Sequence, residues 1–489
     1  MSLFKGLFMP SRIAVATVAL LGLVTLPALA ENWPQFRGPN AAGLPEGTHL
    51  ATDWGPNENI AWKVDLPGAA WSQPIAWGDR IYLTTAVTED QSMPAVGQAG
   101  RGRRAGSRSE TTTPKAADDD NPETKADSKA DKPRGRGNPH GSVGQSDKVF
   151  QWHVLCLDRK TGRVLWDQTA HEGKPTLPIH RTNTYASETP VTDGERVYAY
   201  FGMTGLYCYD MDGALLWKKD LGNFPMMFGW GTGSSPALYE DRLFIQCDNE
   251  RESFLAALDK RSGDELWRVA REEKSNWSTP FIWKNKARTE LVTAGGRRMR
   301  GYDPADGKLL WEMAGVRGRC SATPVASDEL LYLGVGGGPG GLGPLVAVKA
   351  GASGDISIGK EETSNTGVAW KIQRSGPPMA SPLLYDNCLY ILDQGGGIVG
   401  CYDAATGKQH YRQRIDGARS FTSSPWGYDG KVFCLDEDGQ TFVLAPGPEL
   451  KVLDTNKLDD TFWSSVAVAG DLLLLRGVDA LYAIGPKAN

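Results

Sequence analysis

The sequence predicts an all-β protein: an eight-bladed β-propeller of four-stranded antiparallel sheets, its last blade closed by an N-terminal strand. Three observations carry this. A hairpin motif, LDRKTGRVLW at residues 157–166, returns as YDMDGALLW at 209–217, LDKRSGDELW at 258–267, YDPADGKLLW at 302–311 and YDAATGKQHY at 402–411. A second signature begins near Ser72, Glu188, Ser234, Ser278, Ala322, Ala380, Ser423 and Ser464, and consists of a short apolar strand after Pro, a polar turn and a strongly apolar strand. From Pro190 onward its prolines are spaced by 46, 44, 44, 58, 43 and 41 residues, with Val466 in the last position. A unit of this length that recurs eight times describes a repeat architecture before it describes separate domains.

Each unit reads as four strands: A after the Pro, B the apolar run, C ending at the motif Asp, and D carrying the Trp. Between C and D, the Asp carboxylate can accept from the backbone just ahead of it, and Gly supplies the positive φ of a tight turn. Segments apolar on both faces, such as 197–201 and 472–475, suit sheets sandwiched between neighbours. Four-stranded units packed radially are propeller blades. The eighth unit has strands A to C and then the chain stops, whereas NIAWKVDLPG from Asn59 resembles LLWKKDLG around Trp217. Residues 61–66 are therefore predicted to complete the last blade and remove an exposed sheet edge. Trp62, Trp166, Trp217, Trp267, Trp311 and Trp370, with Tyr411 and Val452 as departures, are expected to pack between adjacent blades.

Residues 1–30 read as a secretory signal: Lys5 and Arg12 flank an amino-terminal region, 13–26 is apolar, and Ala28-Leu29-Ala30 is a cleavage site. No cysteine follows the apolar core, so a lipid anchor is not indicated, and fourteen apolar residues are short for a membrane span. The expected organisation is a signal at 1–30, an extended segment at 31–58 and the propeller at 59–489. Residues 91–147 contain no Phe, Trp, Tyr, Leu or Ile but ten Lys/Arg and eight Asp/Glu. They are expected to be a disordered loop between strands B and C of blade 1. A second, polar and glycine-rich insertion spans 351–367. The net charge of −5 offers no basic field for nucleic acid. Seven cysteines form no C-x-x-C, and Cys156, Cys208 and Cys401 share a repeat slot held elsewhere by Ala257 and Gly301, a small-residue packing position rather than a disulfide framework.

Strand direction alternates, so the D-to-A and B-to-C loops share one face, and the residues entering strand A surround its axis. One before each Pro position stand Gln73, Thr189, Ser235, Thr279, Thr323, Ser381, Ser424 and Ser465. These hydroxyls either satisfy nearby backbone, the stronger reading, or line a polar channel. Three before it stand Trp71, Ser187, Gly233, Trp277, Ser321, Met379, Thr422 and Trp463. Here the three Trp either stack a planar ligand or fill core under the loops. On the same face, Glu188, with His180, Arg181, Asn183 and Tyr185, and the cluster Asp248, Asn249, Glu250 and Arg251 join Asn276 and Arg319 as candidates for a polar pocket. Glu188, Asp248, Asn249 and Glu250 are the candidates for a hard cation such as calcium, against a reading as solvated loop charge. Six histidines, none at metal-ligand spacing, speak against zinc.

The D-x-x-[ST]-G-x-x-x-W pattern at 158–166 and 259–267 resembles the tryptophan-docking motif of the pyrroloquinoline quinone (PQQ) type propeller family. At 303–311 Asp306 replaces the hydroxyl, and at 403–411 Tyr411 replaces Trp. WPQFRGPN at 33–40 and RTNTYASETPVTDGERVY from Arg181 resemble exported bacterial PQQ-like repeat proteins. The resemblance covers about residues 33–487 apart from the insertion. It implies two alternatives. The favoured one is a monomeric, periplasmic or secreted scaffold without a cofactor, binding a protein or a cell-envelope carbohydrate polymer at the mouth formed by Trp71, Trp277 and Trp463. The other is a PQQ- and calcium-dependent dehydrogenase of alcohols or sugars. In that reading the quinone stacks on a mouth Trp, Arg319 polarises its carbonyl, and Glu188, Asn276 or the Asp248 cluster holds the metal. The adjacent Cys-Cys pair of many such dehydrogenases, a haem motif and the anchor cysteine of the assembly lipoprotein are all absent from this sequence.

Overall fold

The computed structural model describes residues 32–45, 49–90, 144–337 and 342–486. The predicted signal and nearly all of the 91–147 insertion lie outside the described residues. Eight sheets are formed, each four strands in the order A-B-C-D, one of them extended by a fifth strand. Blade 1 comprises Ile75–Trp77, Arg80–Thr88, Phe150–Asp158 and Val164–Gly173. Blade 2 comprises Val191–Thr192, Arg196–Phe201, Gly205–Asp210 and Leu215–Lys219, and blades 3 to 7 follow in chain order.

Closure is as the repeat count demands. Blade 8 consists of Ala467–Ala469, Leu472–Arg476 and Ala480–Ile484, and its fourth strand is Ile60–Asp65. That strand runs antiparallel to the chain's last, with Trp62 opposite Ala483 and Val64 opposite Leu481. The docking tryptophans explain how neighbouring blades lock. The Trp166 indole donates to Met211 O in the C-to-D turn of blade 2 at 3.0 Å, and Trp62 makes the same bond to Arg159 O of blade 1 at 2.9 Å. Each indole lies against the turn glycine of the next blade: a Cβ added to Gly162 would fall 2.5 Å from the Trp62 ring. The glycine thus serves both its positive φ of 70° and the close approach of the ring.

Two departures have local causes. Trp311 meets no such turn, because the following C-to-D connection is the 351–367 insertion; its indole donates instead to the buried Glu290 carboxylate at 2.6 Å. The insertion itself is not wholly polar in its packing. Ile356 and Ile358 are buried, and Gly354–Asp355 pairs in parallel with strand Leu309–Met313 as a fifth strand. All seven cysteines are free and buried.

The N-terminal segment crosses the end of the axis where strands A finish. Trp33 pairs with Ala76 of blade 1, Pro34 O accepts from Thr192 N of blade 2, and Gly43 O accepts from Gly427 N of blade 7. At its centre Phe36 and Arg37 make a tight turn, with φ of 62° at Arg37 and 70° at Gly38. Arg37 N donates to Gln73 Oε1 at 2.6 Å, tying the turn to blade 1's strand-A entry.

Candidate functional site

Entry into strand A sorts side chains by alternation, since successive residues of extended chain point to opposite sides. The residues immediately before Pro build a belt around the axis. Gln73 N donates to Thr189 Oγ1 at 3.0 Å, Thr189 N to Ser235 Oγ at 2.9 Å and Ser235 N to Thr279 Oγ1 at 3.1 Å. Across the ring, Thr323 N, Ser381 N and Ser424 N donate to Ser381 Oγ, Ser424 Oγ and Ser465 Oγ, each at 3.0 Å. Each of these hydroxyl oxygens therefore satisfies the backbone of the preceding blade. The hydroxyls nevertheless also border the axial space, so the two roles weighed from the sequence coexist.

That space is a cavity of about 440 Å³ at the mouth bearing the D-to-A loops. All eight residues three before Pro line it: Trp71, Ser187, Gly233, Trp277, Ser321, Met379, Thr422 and Trp463. Phe36 of the N-terminal segment also lines the cavity. The aromatic groups form two pairs. Trp71 and Trp463 stack with ring centres 5.4 Å apart and planes at 29°; Trp230 and Trp277 lie 5.8 Å apart at 33°. The first pair comes from blades 1 and 8, the second from blade 4 and the loop entering blade 3, so they stand on opposite arcs of the ring. Trp71 Nε1 donates to Thr182 O at 2.8 Å and Trp277 Nε1 to Gly231 O at 2.7 Å, which fixes both ring planes.

Arg319 covers the Trp230 ring, its guanidinium carbon 4.9 Å from the centroid, and Nε donates to Gly337 O at 3.1 Å. Among the described residues no carboxylate lies within salt-bridge distance of it. His180 meets Trp230 edge-on at 5.6 Å, and burial together with Arg181 lowers its pKa, favouring the neutral ring. Asn183 is spent on architecture: Nδ2 donates to Trp230 O and Thr232 O, and Oδ1 accepts from Ser187 Oγ at 2.7 Å. Among the described residues no Asp or Glu lines the cavity. Behind the wall, Glu437 accepts from Thr422 Oγ1 at 2.6 Å.

Of the residues singled out from the sequence, Trp71, Trp277, Trp463 and Arg319 thus meet at the cavity, and Glu188 and Asn276 are not among its lining. Glu188 occupies the position two before Pro, which faces between blades; burial raises its pKa to about 7 and Gly202 N donates to it at 3.3 Å. Asn276 accepts from Cys320 N and donates to Lys274 O, joining blades 4 and 5. Asp248 is fully buried against Arg271, with Nε to Oδ1 at 2.7 Å and Nη2 to Oδ2 at 3.0 Å, and takes a third bond from Gln246. Asn249 caps its own loop through Arg251 N and Glu252 N, and Glu250 accepts from Ser275. The four candidate cation ligands are therefore dispersed among separate partners. Among the described residues no group of three or more His, Cys, Asp or Glu is placed to hold a metal ion. Trp230 went unnoticed in the sequence because it lies in the 220–235 loop, outside the repeat; its proximity to Gly231 and Gly233 was the available signal.

Fold and site define a closed repeat propeller with an aromatic cup at one end of its axis. The chain belongs to the PQQ-like repeat family: the family model described as outer membrane protein assembly factor BamB matches residues 151–314, 206–354, 251–400 and 358–480, together about two thirds of the chain. Among solved structures, a quinohemoprotein alcohol dehydrogenase from Pseudomonas putida HK5 is similar over 94% of this chain and 81% of its own, with a TM-score of 0.55 and 10% identity. BamB from Moraxella catarrhalis is similar over 71% and 91%, with a TM-score of 0.49 and 14% identity. A computationally designed protein, Ika8, covers 72% and 98% at a TM-score of 0.49 and 10% identity. No curated protein matches the sequence.

Proposed function

We propose that this chain is an exported binding propeller whose axial cup grips a flat-faced saccharide group of the cell envelope. The observation that carries the reading is the cup itself: two Trp pairs on opposite arcs, bordered by hydroxyls and, among the described residues, lined by no carboxylate. Sugar rings present C–H faces that pack on indole and hydroxyls that hydrogen-bond a Ser/Thr belt, and the pair planes are already fixed by backbone carbonyls. Export is supported by the apolar run at 13–26 followed by Ala28-Leu29-Ala30. No helix among the described residues is long and apolar enough to cross a membrane.

The alternative, a calcium–PQQ dehydrogenase, does not fit the donors present. Calcium takes about six to eight oxygen ligands, usually including carboxylates, and a quinoprotein also needs a base near its substrate. Glu188 and the Asp248 cluster are turned away and engaged elsewhere. The aromatic surface could receive a planar quinone, and neutral His180 beside it could take a proton, but among the described residues no carboxylate lines the cavity to hold the calcium such a quinone needs.

Titration of the purified protein with chitotetraose, followed by Trp fluorescence, tests the reading. Saturable quenching is expected, weakened at least tenfold in Trp277→Ala and Trp463→Ala. Absence of quenching, or calcium-dependent PQQ binding with alcohol- or sugar-dependent dye reduction, would overturn it.

A further inference from the structure

At the cup surface itself, among the described residues, Arg319 is the charged group, while the carboxylates of Glu188 and Glu437 stand behind the wall. Elsewhere in the interior two arginines are matched: Arg271 lies on Asp248 at 2.7 Å and Arg300 on Glu273 at 3.1 Å. Two other buried arginines have no carboxylate within salt-bridge distance among the described residues; both bond the stretch that follows Trp71, and neither lines the cavity. Arg476 reaches Ser72 Oγ and Thr84 O, each at 2.8 Å, through Nη1. Arg37, 1% exposed, is tied through its backbone to Gln73; its Nη2 donates to Ala42 O at 3.1 Å, and its Nε and Nη1 have no hydrogen-bond partner among the described residues. Burial without a counter-charge lowers both to about 9, the direction expected for a cation held in low dielectric. On the opposite arc Arg319 adds a third positive charge, at the cup surface.

The belt has the same polarity. The six hydroxyl oxygens of Thr189, Ser235, Thr279, Ser381, Ser424 and Ser465 accept backbone N–H groups, so each hydrogen remains available to a group in the cavity. Among the described residues the cup offers hydroxyl hydrogens, an Arg fork and no acidic side chain, within a chain of net charge −5, which favours a negative group there. Buried charge of one sign is costly unless it is offset. A ligand that carries the opposite sign would offset it.

We propose that the cup selects saccharides bearing a carboxylate, the acidic group lying on Arg319 while the sugar ring packs between the Trp pairs. This rests on the reading of the cup as a saccharide site. Arg suits the role because its planar fork can hold both carboxylate oxygens while its flat face stays stacked on Trp230. Neutral sugars would use the same aromatic surface and forgo the charge contact.

The test compares trigalacturonate, its fully methyl-esterified form and chitotetraose by Trp fluorescence and calorimetry, in the wild type and in Arg319→Gln. Trigalacturonate is expected to bind at least tenfold more tightly than its ester, with affinity falling as salt rises. Arg319→Gln is expected to remove most of that advantage, lowering affinity for the acid by a much larger factor than affinity for the ester. Equal affinity for acid and ester, or an acid preference untouched by Arg319→Gln, would overturn the charge inference; if chitotetraose still bound, the saccharide cup would survive. Failure of all three saccharides to bind would sink both.

Discussion

If the ring is closed by Trp62 as it is elsewhere by Trp166, then Trp62→Ala should cost as much as Trp166→Ala although its strand lies more than 400 residues from its blade partners in sequence. Both indoles are half-buried, both lie against the glycine of the next blade's turn, and both donate one hydrogen bond, at 2.9 and 3.0 Å. Replacing a fully buried Trp by Ala costs about 3–5 kcal/mol. Half-burial reduces that to about 2, and the hydrogen bond adds about 1, giving about 3 kcal/mol for each variant. With an unfolding entropy of about 2.1 cal/mol/K per residue over roughly 400 ordered residues, the melting temperature should drop by about 4 °C. Differential scanning calorimetry and urea denaturation of the two variants measure this directly. A Trp62→Ala protein within about 0.5 kcal/mol of wild type, beside a Trp166→Ala protein that loses the full amount, would show that the N-terminal strand does not bear the closure.

Four further outcomes follow from buried groups. Glu188, raised to about 7 by burial, binds more protons folded than unfolded between its ordinary carboxyl range and neutrality. Its contribution is therefore fully present at low pH and is lost as pH rises through about 7; urea titrations from pH 4 to 8 should show Glu188→Gln flattening this decline, by up to about 3 kcal/mol. Arg271→Met would strand Asp248 without its partner and cost about 3–5 kcal/mol, and adding Asp248→Asn should recover part of the loss in the same denaturation assay. Calcium should leave the wild-type melting temperature unmoved, since the Asp248 oxygens already face Arg271 and Gln246. Burial pushes the Cys156, Cys208 and Cys247 thiols up to about 12. An aromatic disulfide reagent should therefore label the seven free, buried cysteines only as the protein unfolds; a fast-reacting thiol in native buffer would contradict that placement.

The parts of this molecule legible in the sequence are those that the repeat states eight times. A hydroxyl or Trp at a fixed offset from a strand-initiating Pro has its direction set by the strand, so all eight residues of one offset could be assigned to one rim. Glu188 belongs to a different offset, which the same alternation directs away from the axis. Its column, two before Pro, otherwise holds only Ser or Ala, at 72, 234, 278, 322, 380, 423 and 464, and all are buried. The small-residue column marks an inter-blade face, where Ser234 and Ser278 donate to the backbone of the next blade, and a carboxylate there must lose solvent rather than meet a ligand. Phe36, Arg37 and Trp230 lie outside the repeat, and no periodicity constrains where a single copy lands. Their places are set by tertiary contacts: a turn pinned to Gln73 at one end of the axis, and a loop held by Asn183 at the other. The repeat thus determines the wall of the cup, whereas its floor and its charged lip come from unrepeated segments, which is where a scaffold shared by many proteins would acquire a preference of its own.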